Sequence, residues 1–299
     1  MSGPELEIVD GFDLARLTTV RTGGPAEHFA RAGSLRELQA LLAWAGERGL
    51  EVGVVGSGSN LLVADAGVRG LVLKLDRELA RIEPKGARLI CGAGARLPSV
   101  SARAAALALS GIEFGVNIPG TVGGAVRMNA NAYGGELAAA LEWVDVVDAD
   151  GMARRAPGEL GFAYRSSNLR PGEIVARASF ALQAADGDAV RATLASMRDR
   201  RHAAQPKGVK TFGSTFKNPD AGDGRTAGLL LAEAGCAGVT VGGARFSPKH
   251  ANFVENMGAA STADVVALMG EGRQRVLERF GVELEREVQV LGDVRFPWE

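Results

Sequence analysis

Apolar residues first recur at helical spacing after Ser34, where Leu35, Leu38, Leu41, Leu42 and Ala45 form one stripe. Ser34 and Glu37 make a capping box, and Gly49 is a stop. Val52–Val55 reads as a short buried strand, as do Leu61–Val63 and Leu71–Leu75, with Asp65–Gly70 as turn material. Leu17–Gly24 is β-like and residues 1–15 look peripheral, so residues 16–75 are expected to be α/β. Arg88–Cys91 reads as a strand ending in G-A-G. Leu97–Leu109 reads as an alanine-rich helix with Pro98 in its first turn. Strands are expected at Trp143–Asp148, Met152–Arg155 and Ile174–Leu182, with Phe162–Leu169 as a polar loop. Asp186–His202 is a polar, arginine-rich helix, and Ala203–Lys210 is linker-like. Thr226–Ala234 and Ser261–Phe280 read as helices, the latter with Asp264 as its capping-box acid and with Gly270 and Gly272 weakening its middle. Val282–Leu291 alternates as a strand. There is no internal repeat.

One stretch fits neither period. Val116–Glu136 holds Gly120, Gly123, Gly124, Gly134, Gly135, Pro119 and three Asn. Each interior Gly costs about 1 kcal/mol relative to Ala in a helix and Pro about 3, so the stretch is not expected to be an ordinary helix. Ile118, Val122, Val126 and Met128 make it too apolar for a solvated linker. Bare backbone beside apolar and amide side chains suits a flat, polar-edged cofactor. A buried glycine-rich core turn fits equally well.

Composition narrows the classes. The chain has 299 residues, 46% hydrophobic and 23% charged, with a formal net charge of −1. That suits two domains, or one with an appendage, and carries no basic footprint for nucleic acid. Cys91 and Cys236 form no C-x-x-C pair, which suggests a reduced, cytoplasmic chain. His28, His202 and His250 lack metal-ligand spacing, so no metal is expected. The acidic N-terminus is not a signal peptide, and no apolar run approaches a membrane span.

Several short motifs carry candidate chemistry. Gly56-Ser57-Gly58-Ser59-Asn60 follows a strand, and its N–H groups could converge on a pyrophosphate; a strand-end turn is the plain alternative. It is no dinucleotide fingerprint, because Leu61 stands where the last Gly belongs, and Gly92-Ala93-Gly94 fails likewise at Leu97. Tyr164-Arg165 puts an aromatic beside a permanent cation that can fork a carboxylate, or merely form a surface ion pair. Gly213-Ser214-Thr215-Phe216-Lys217-Asn218-Pro219 packs a hydroxyl, a cation and an amide together. No His lies nearby in sequence to activate Ser214 as a nucleophile. Lys249-His250-Ala251-Asn252 could grip a phosphate or be a solvated turn. Glu283, Glu285 and Glu287 share one side of the closing strand and read as a solvated face.

Taken in order, G-S-G-S-N-L-L-V, I-P-G-T-V-G-G-A-V-R-M-N-A-N-A-Y-G, F-A-Y-R-S-S-N-L, G-S-T-F-K-N-P, K-H-A-N-F and L-E-R-E-V closely resemble the family of UDP-N-acetylenolpyruvoylglucosamine reductases, from about Thr18 to Gly292. The resemblance implies an α/β (α+β) chain: a two-subdomain FAD-binding fold of the vanillyl-alcohol-oxidase (PCMH) type at 1–72 and 73–200, then an α/β substrate-binding domain at 203–299. It implies bound FAD and NADPH as reductant. The substrate would be UDP-N-acetylglucosamine enolpyruvate, reduced for peptidoglycan synthesis, with no nucleic acid, membrane or required protein partner. By the same resemblance Gly56, Ser57, Gly58, Ser59 and Asn60 hold the FAD diphosphate. Ile118, Pro119, Gly120, Thr121, Gly123 and Gly124 line the flavin. Arg165 is the catalytic cation, Ser214 the proton donor and Glu287 the catalytic carboxylate. Tyr164, Lys217, Asn218, Lys249, His250 and Asn252 fall at substrate-binding positions. The short path from Arg165 to Ser214 looks like the compact type. Asn117 and Asn131 stand where many members have Gly; Asn tolerates left-handed backbone, so both are expected to keep its shape. Alternative readings are an FAD-dependent sugar or alcohol oxidase of the same fold and a non-catalytic nucleotide-sugar-binding regulator.

Overall fold

The computed structural model describes residues 4–220 and 224–299. The chain divides into two compact units. One takes the chain up to Asp10, His28–Ser57 and Arg69–Arg201; the other takes Gly11–Glu27, Gly58–Val68 and His202–Glu299. Residues 11–27 and 58–68 thus group with the C-terminal third, whereas the sequence reading puts them in its first segment.

In the first unit, helix α1 (Leu35–Gly46) turns Leu38, Leu41, Leu42 and Ala45 into the core. Ser34 Oγ accepts from the Glu37 N–H at 3.2 Å. The Glu37 carboxylate reaches back to the N–H of Gly33, not Ser34, at 2.8 Å. A sheet runs in the order Ile8–Asp13, Pro25–Ala32, Val68–Leu75, Val52–Val54. The strand expected at Leu71 already begins at Val68, using residues read as a turn. A second, antiparallel sheet has the order Gly151–Arg155, Leu141–Asp148, Ile174–Ala181, Arg88–Gly92, Ile82–Lys85. Its apolar face joins α1 and helix α2 (Leu97–Ala106) in one core with Leu89, Val144 and Phe180. Cys91 lies in that core, and burial pushes its thiol up to about 12.

The glycine-rich stretch departs from expectation by containing a helix, α3 (Val122–Arg127), of six residues. Thr121 caps it, and Val122, Ala125 and Val126 are buried. Tertiary burial of that face outweighs the glycine cost. A one-turn helix, α4 (Leu137–Ala140), closes the stretch, and α5 (Gly187–Ala204) ends the unit, running into the segment read as a linker.

The second unit packs α6 (Ala227–Glu233) and α7 (Thr262–Phe280) with the strands Thr240–Val241, Ala244–Phe246 and Val254–Asn256. Ser261 and Asp264 form the expected capping box. Gly270 and Gly272 do not interrupt α7. A Cβ at Gly272 would stand 2.6 Å from the Phe246 ring, so the glycine lets the sheet approach the helix. Two expected strands are not formed as read. Leu17–Gly24 is irregular, its Val20 being spent on the second core. Of Val282–Leu291 only Gln289–Leu291 is a strand, parallel to Leu61–Val63.

Candidate functional site

Within the first unit the glycine-rich stretch is tied down from one side. Leu97 N–H donates to Gly120 O at 3.0 Å, Val122 to Ala95 O at 2.9 Å and Gly123 to Ala93 O at 2.8 Å. The other side is bare. A Cβ added at Gly120 would meet nothing nearer than 3.9 Å, and at Gly124 nothing nearer than 3.6 Å. Ile118, Pro119 and Gly120 are half-buried, and Gly124 is exposed. This leaves peptide backbone and the Ile118 side chain for a flat group to lie along.

The Tyr164-Arg165 pair forms the tip of a tight turn. Ala163 and Ser166 exchange both backbone hydrogen bonds, at 3.1 and 3.2 Å, and Arg165 takes a left-handed φ of +56°. That conformation is costly for a residue with a side chain and persists only where surroundings enforce it. The enforcing contacts come from the glycine-rich stretch. Arg127 donates to Leu169 O and Glu173 O at 3.2 and 2.9 Å, and its own carbonyl accepts from Ser167 Oγ at 2.8 Å. Asn129, fully buried, donates to Ala163 O at 3.3 Å. The Arg165 Nη1 donates to Asn131 Oδ1 at 2.9 Å and to Asn131 O at 3.3 Å. Tyr164 is exposed, its ring 5.2 Å from the Arg165 guanidinium carbon.

Asn117 and Asn131 do not use the left-handed backbone that asparagine tolerates. Neither has a positive φ; Asn129 and Tyr133 do. They act through their side chains, Asn131 on Arg165 and Asn117 on the Tyr133 hydroxyl (2.9 Å) and Met197 O (2.7 Å).

In the loop after Val52–Val54, Gly56 is held by two groups. Lys74 Nζ donates to its carbonyl at 2.5 Å, and a Cβ on Gly56 would fall 2.5 Å from Thr121 Oγ1. Burial, then the charge of Arg31, lowers the Lys74 pKa; Asp76 opposes and Arg96 adds to the lowering. Lys74 went unnoticed in the sequence because it sits on the neighbouring strand, outside any motif. Gly58, at φ +65°, packs where a Cβ would overlap Leu17 O, and its carbonyl accepts from Thr19 N and Oγ1 at 3.1 and 3.0 Å. Ser57, Ser59 and Asn60 are half-buried.

The second unit brings Ser214, Glu287 and Asn60 into adjoining rows of backbone. Ser214 bridges Phe253, and Thr215 N–H donates to Asn252 O at 2.8 Å. On the other side Glu287 N–H donates to Thr215 O at 2.8 Å and Lys217 N–H to Glu285 O at 2.9 Å. Asn60 Nδ2 donates to Glu287 O at 3.3 Å, and Asn60 O accepts from Gln289 N–H at 3.2 Å. Glu287 is half-buried while Glu283 and Glu285 are exposed, so the three acids do not form one solvated face. Glu285 pairs with Lys217, and Glu283 with Arg273 at 2.7 Å.

The remaining motif residues are engaged within the protein. Asn252 is buried; its Oδ1 accepts from Phe216 N–H at 2.9 Å and its Nδ2 donates to Phe216 O at 2.8 Å. Asn218 Oδ1 accepts from Ala227 N–H at the start of α6, at 3.1 Å. Lys249 Nζ donates to His202 O at 3.0 Å. The His250 ring lies 4.8 Å from that of Phe253, and burial lowers its pKa, favouring the neutral imidazole.

A family model described as FAD binding domain matches residues 26–156, and one described as UDP-N-acetylenolpyruvoylglucosamine reductase, C-terminal domain, matches residues 205–291. UDP-N-acetylenolpyruvoylglucosamine reductase 2 of Symbiobacterium thermophilum is 46% identical over 287 residues, covering 95% of this chain and 92% of that protein. The Anaeromyxobacter dehalogenans UDP-N-acetylenolpyruvoylglucosamine reductase is 45% identical, over 94% of this chain and 84% of its own. The crystal structure of UDP-N-acetylenolpyruvylglucosamine reductase from Thermus caldophilus superposes with a TM-score of 0.82 at 38% identity, covering 96% of this chain and 99% of that one.

Proposed function

The chain belongs to the family of UDP-N-acetylenolpyruvoylglucosamine reductases, and from that premise we propose that it reduces UDP-N-acetylglucosamine enolpyruvate to UDP-N-acetylmuramate with NADPH as the electron source. It is an oxidoreductase with an FAD-binding domain. The residues fit the cofactor: the open backbone at Gly120 and Gly124 suits the ring system, and Lys74 at Gly56 suits an anionic diphosphate. We assign FAD binding to residues 1–72 and 73–200 and substrate binding to 203–299, and place the work in the cytoplasm. Among the described residues no helix is long and apolar enough to cross a membrane.

Bound along this backbone, FAD would supply hydride-transfer chemistry, with NADPH as the source and the terminal carbon of the enolpyruvyl double bond as the acceptor. Negative charge then builds on the adjoining carbon and its carboxylate. Arg165 meets that charge with its guanidinium. Glu287 holds a proton shared with the substrate carboxylate, so that two anions do not face each other. Ser214 gives its hydroxyl proton to the carbanionic carbon; a serine is a weak acid, but the base is strong and held close. Tyr164, Lys217, Asn218, Lys249 and His250 line the substrate's path, and Asn252 acts through Phe216.

The observation that carries this reading is the backbone bond between Thr215 and Glu287, which sets the proposed proton donor and acid in neighbouring rows. The test is stopped-flow absorbance of the two half-reactions. Ser214→Ala and Arg165→Met should leave flavin reduction by NADPH near normal and slow reoxidation by the enolpyruvyl substrate at least a hundredfold. Equal slowing of both halves would remove the proton-donor role. A Glu287→Gln enzyme of unchanged turnover would remove the shared proton. Reoxidation by oxygen alone would make the protein an oxidase.

A further inference from the structure

We propose that Asn131 is a positioning residue for Arg165: its side-chain oxygen helps set the direction of the guanidinium that meets the substrate. The inference rests on the role assigned to Arg165 above.

Three observations carry it. First, the bond is unambiguous in sense. Arginine only donates, so the atom 2.9 Å from Nη1 is the amide oxygen of Asn131. The same Nη1 meets the Asn131 carbonyl at 3.3 Å, so one residue supplies both contacts. Second, Asn131 stands on a stiff base. Asn131–Ala132 pairs antiparallel with Gly135–Glu136 across Tyr133 and Gly134, whose φ values are +53° and +80°. Positive φ at both central residues is the tight hairpin turn whose twist matches paired strands. The strained Tyr133 is in turn anchored through its hydroxyl by Asn117. Third, the turn carrying Arg165 is fastened by every other residue of the preceding run. Arg127 binds 167, 169 and 173, Asn129 binds 163, and Asn131 reaches the guanidinium itself. Arg127 and Asn129 thus place the backbone of the turn, and Asn131 places the charged end.

Asn131→Ala, Arg165→Met and the double variant Asn131→Ala/Arg165→Met test this, read as FAD content, flavin reduction by NADPH and reoxidation by the enolpyruvyl substrate. Asn131→Ala should keep FAD content and reduction rate and slow reoxidation about tenfold, the scale of one hydrogen bond to a charged group. In the Arg165→Met background the change at 131 should not matter further. A merely structural role predicts lost FAD content or a further loss of reoxidation in the Arg165→Met background, and that result overturns the proposal. So does a slow Arg165→Met enzyme beside an Asn131→Ala enzyme of normal reoxidation. An Arg165→Met enzyme that reoxidises normally overturns both this inference and the role given to Arg165.

Discussion

Asn252 has both ends of its side-chain amide engaged inside the protein. Its amide uses one donor and one acceptor on the backbone of Phe216, two residues beyond Ser214, and its carbonyl takes the N–H of Thr215. The Phe216 side chain is fully buried, so the loop can move only with the core. Asn252→Leu is nearly the same size but leaves the Phe216 N–H and C=O buried without partners. Each costs about 1–3 kcal/mol, so urea unfolding should show a loss of roughly 2–5 kcal/mol. Unchanged stability would mean that these two bonds do not hold the loop. In the sequence an asparagine between Ala251 and Phe253 carries no sign of which way its amide points. Lys74 and Asn131 were illegible as site residues for the same reason: their partners, Gly56 and Arg165, are remote in sequence.

At the scale of elements, the arm from Phe162 to Glu173 is held at its far end by Glu173. That carboxylate, almost wholly buried, accepts from Arg155 at 2.5 Å and from the side chain and N–H of Arg170 at 2.8 Å each. These bonds, the Arg155 side chain first, hold its pKa down at about 2, against the desolvation that raises it. The folded pKa lies below the unfolded one, so the group stabilises the fold fully above pH 4.5, and the contribution drains away as the pH falls towards 2. At neutral pH it is worth up to about 3 kcal/mol. Glu173→Gln should therefore lower the urea midpoint at pH 7, and the gap to wild type should close below pH 3. A gap independent of pH would mean that shape, not charge, holds the arm. Elements of this kind were legible where local chemistry suffices. The capping residues Ser34, Thr226 and Ser261 start helices as read. They are less legible where tertiary contact decides, as in α3, a six-residue helix inside a stretch whose glycines argue against an ordinary helix.

For the whole molecule, the order of glycine-bounded motifs was enough to place the family and its FAD-binding, α/β class, because each motif keeps its chemistry contiguous. The grouping of segments was not legible, because no local pattern records that Val20 and Leu62 complete a core otherwise drawn from Phe212 onward. That grouping makes a prediction about fragments. In the second unit Leu61–Val63 pairs with the final strand, Asn256 Nδ2 donates to Val20 O at 2.9 Å, and Thr262 N–H donates to Asp65 Oδ1 at 2.8 Å across 197 residues. A chain of residues 202–299 alone would leave that strand an unpaired edge, open the core at Val20 and Leu62, and strip the first turn of α7 of its Asp65 acceptor. Burying a leucine or valine is worth about 1.5–3 kcal/mol, and a small domain is stable by only about 5–15. The fragment should therefore lack a cooperative thermal transition by circular dichroism. Adding a second fragment, residues 1–201, should restore the transition, because it carries both missing segments. A cooperative transition in 202–299 by itself would show that these segments decorate the unit instead of completing it.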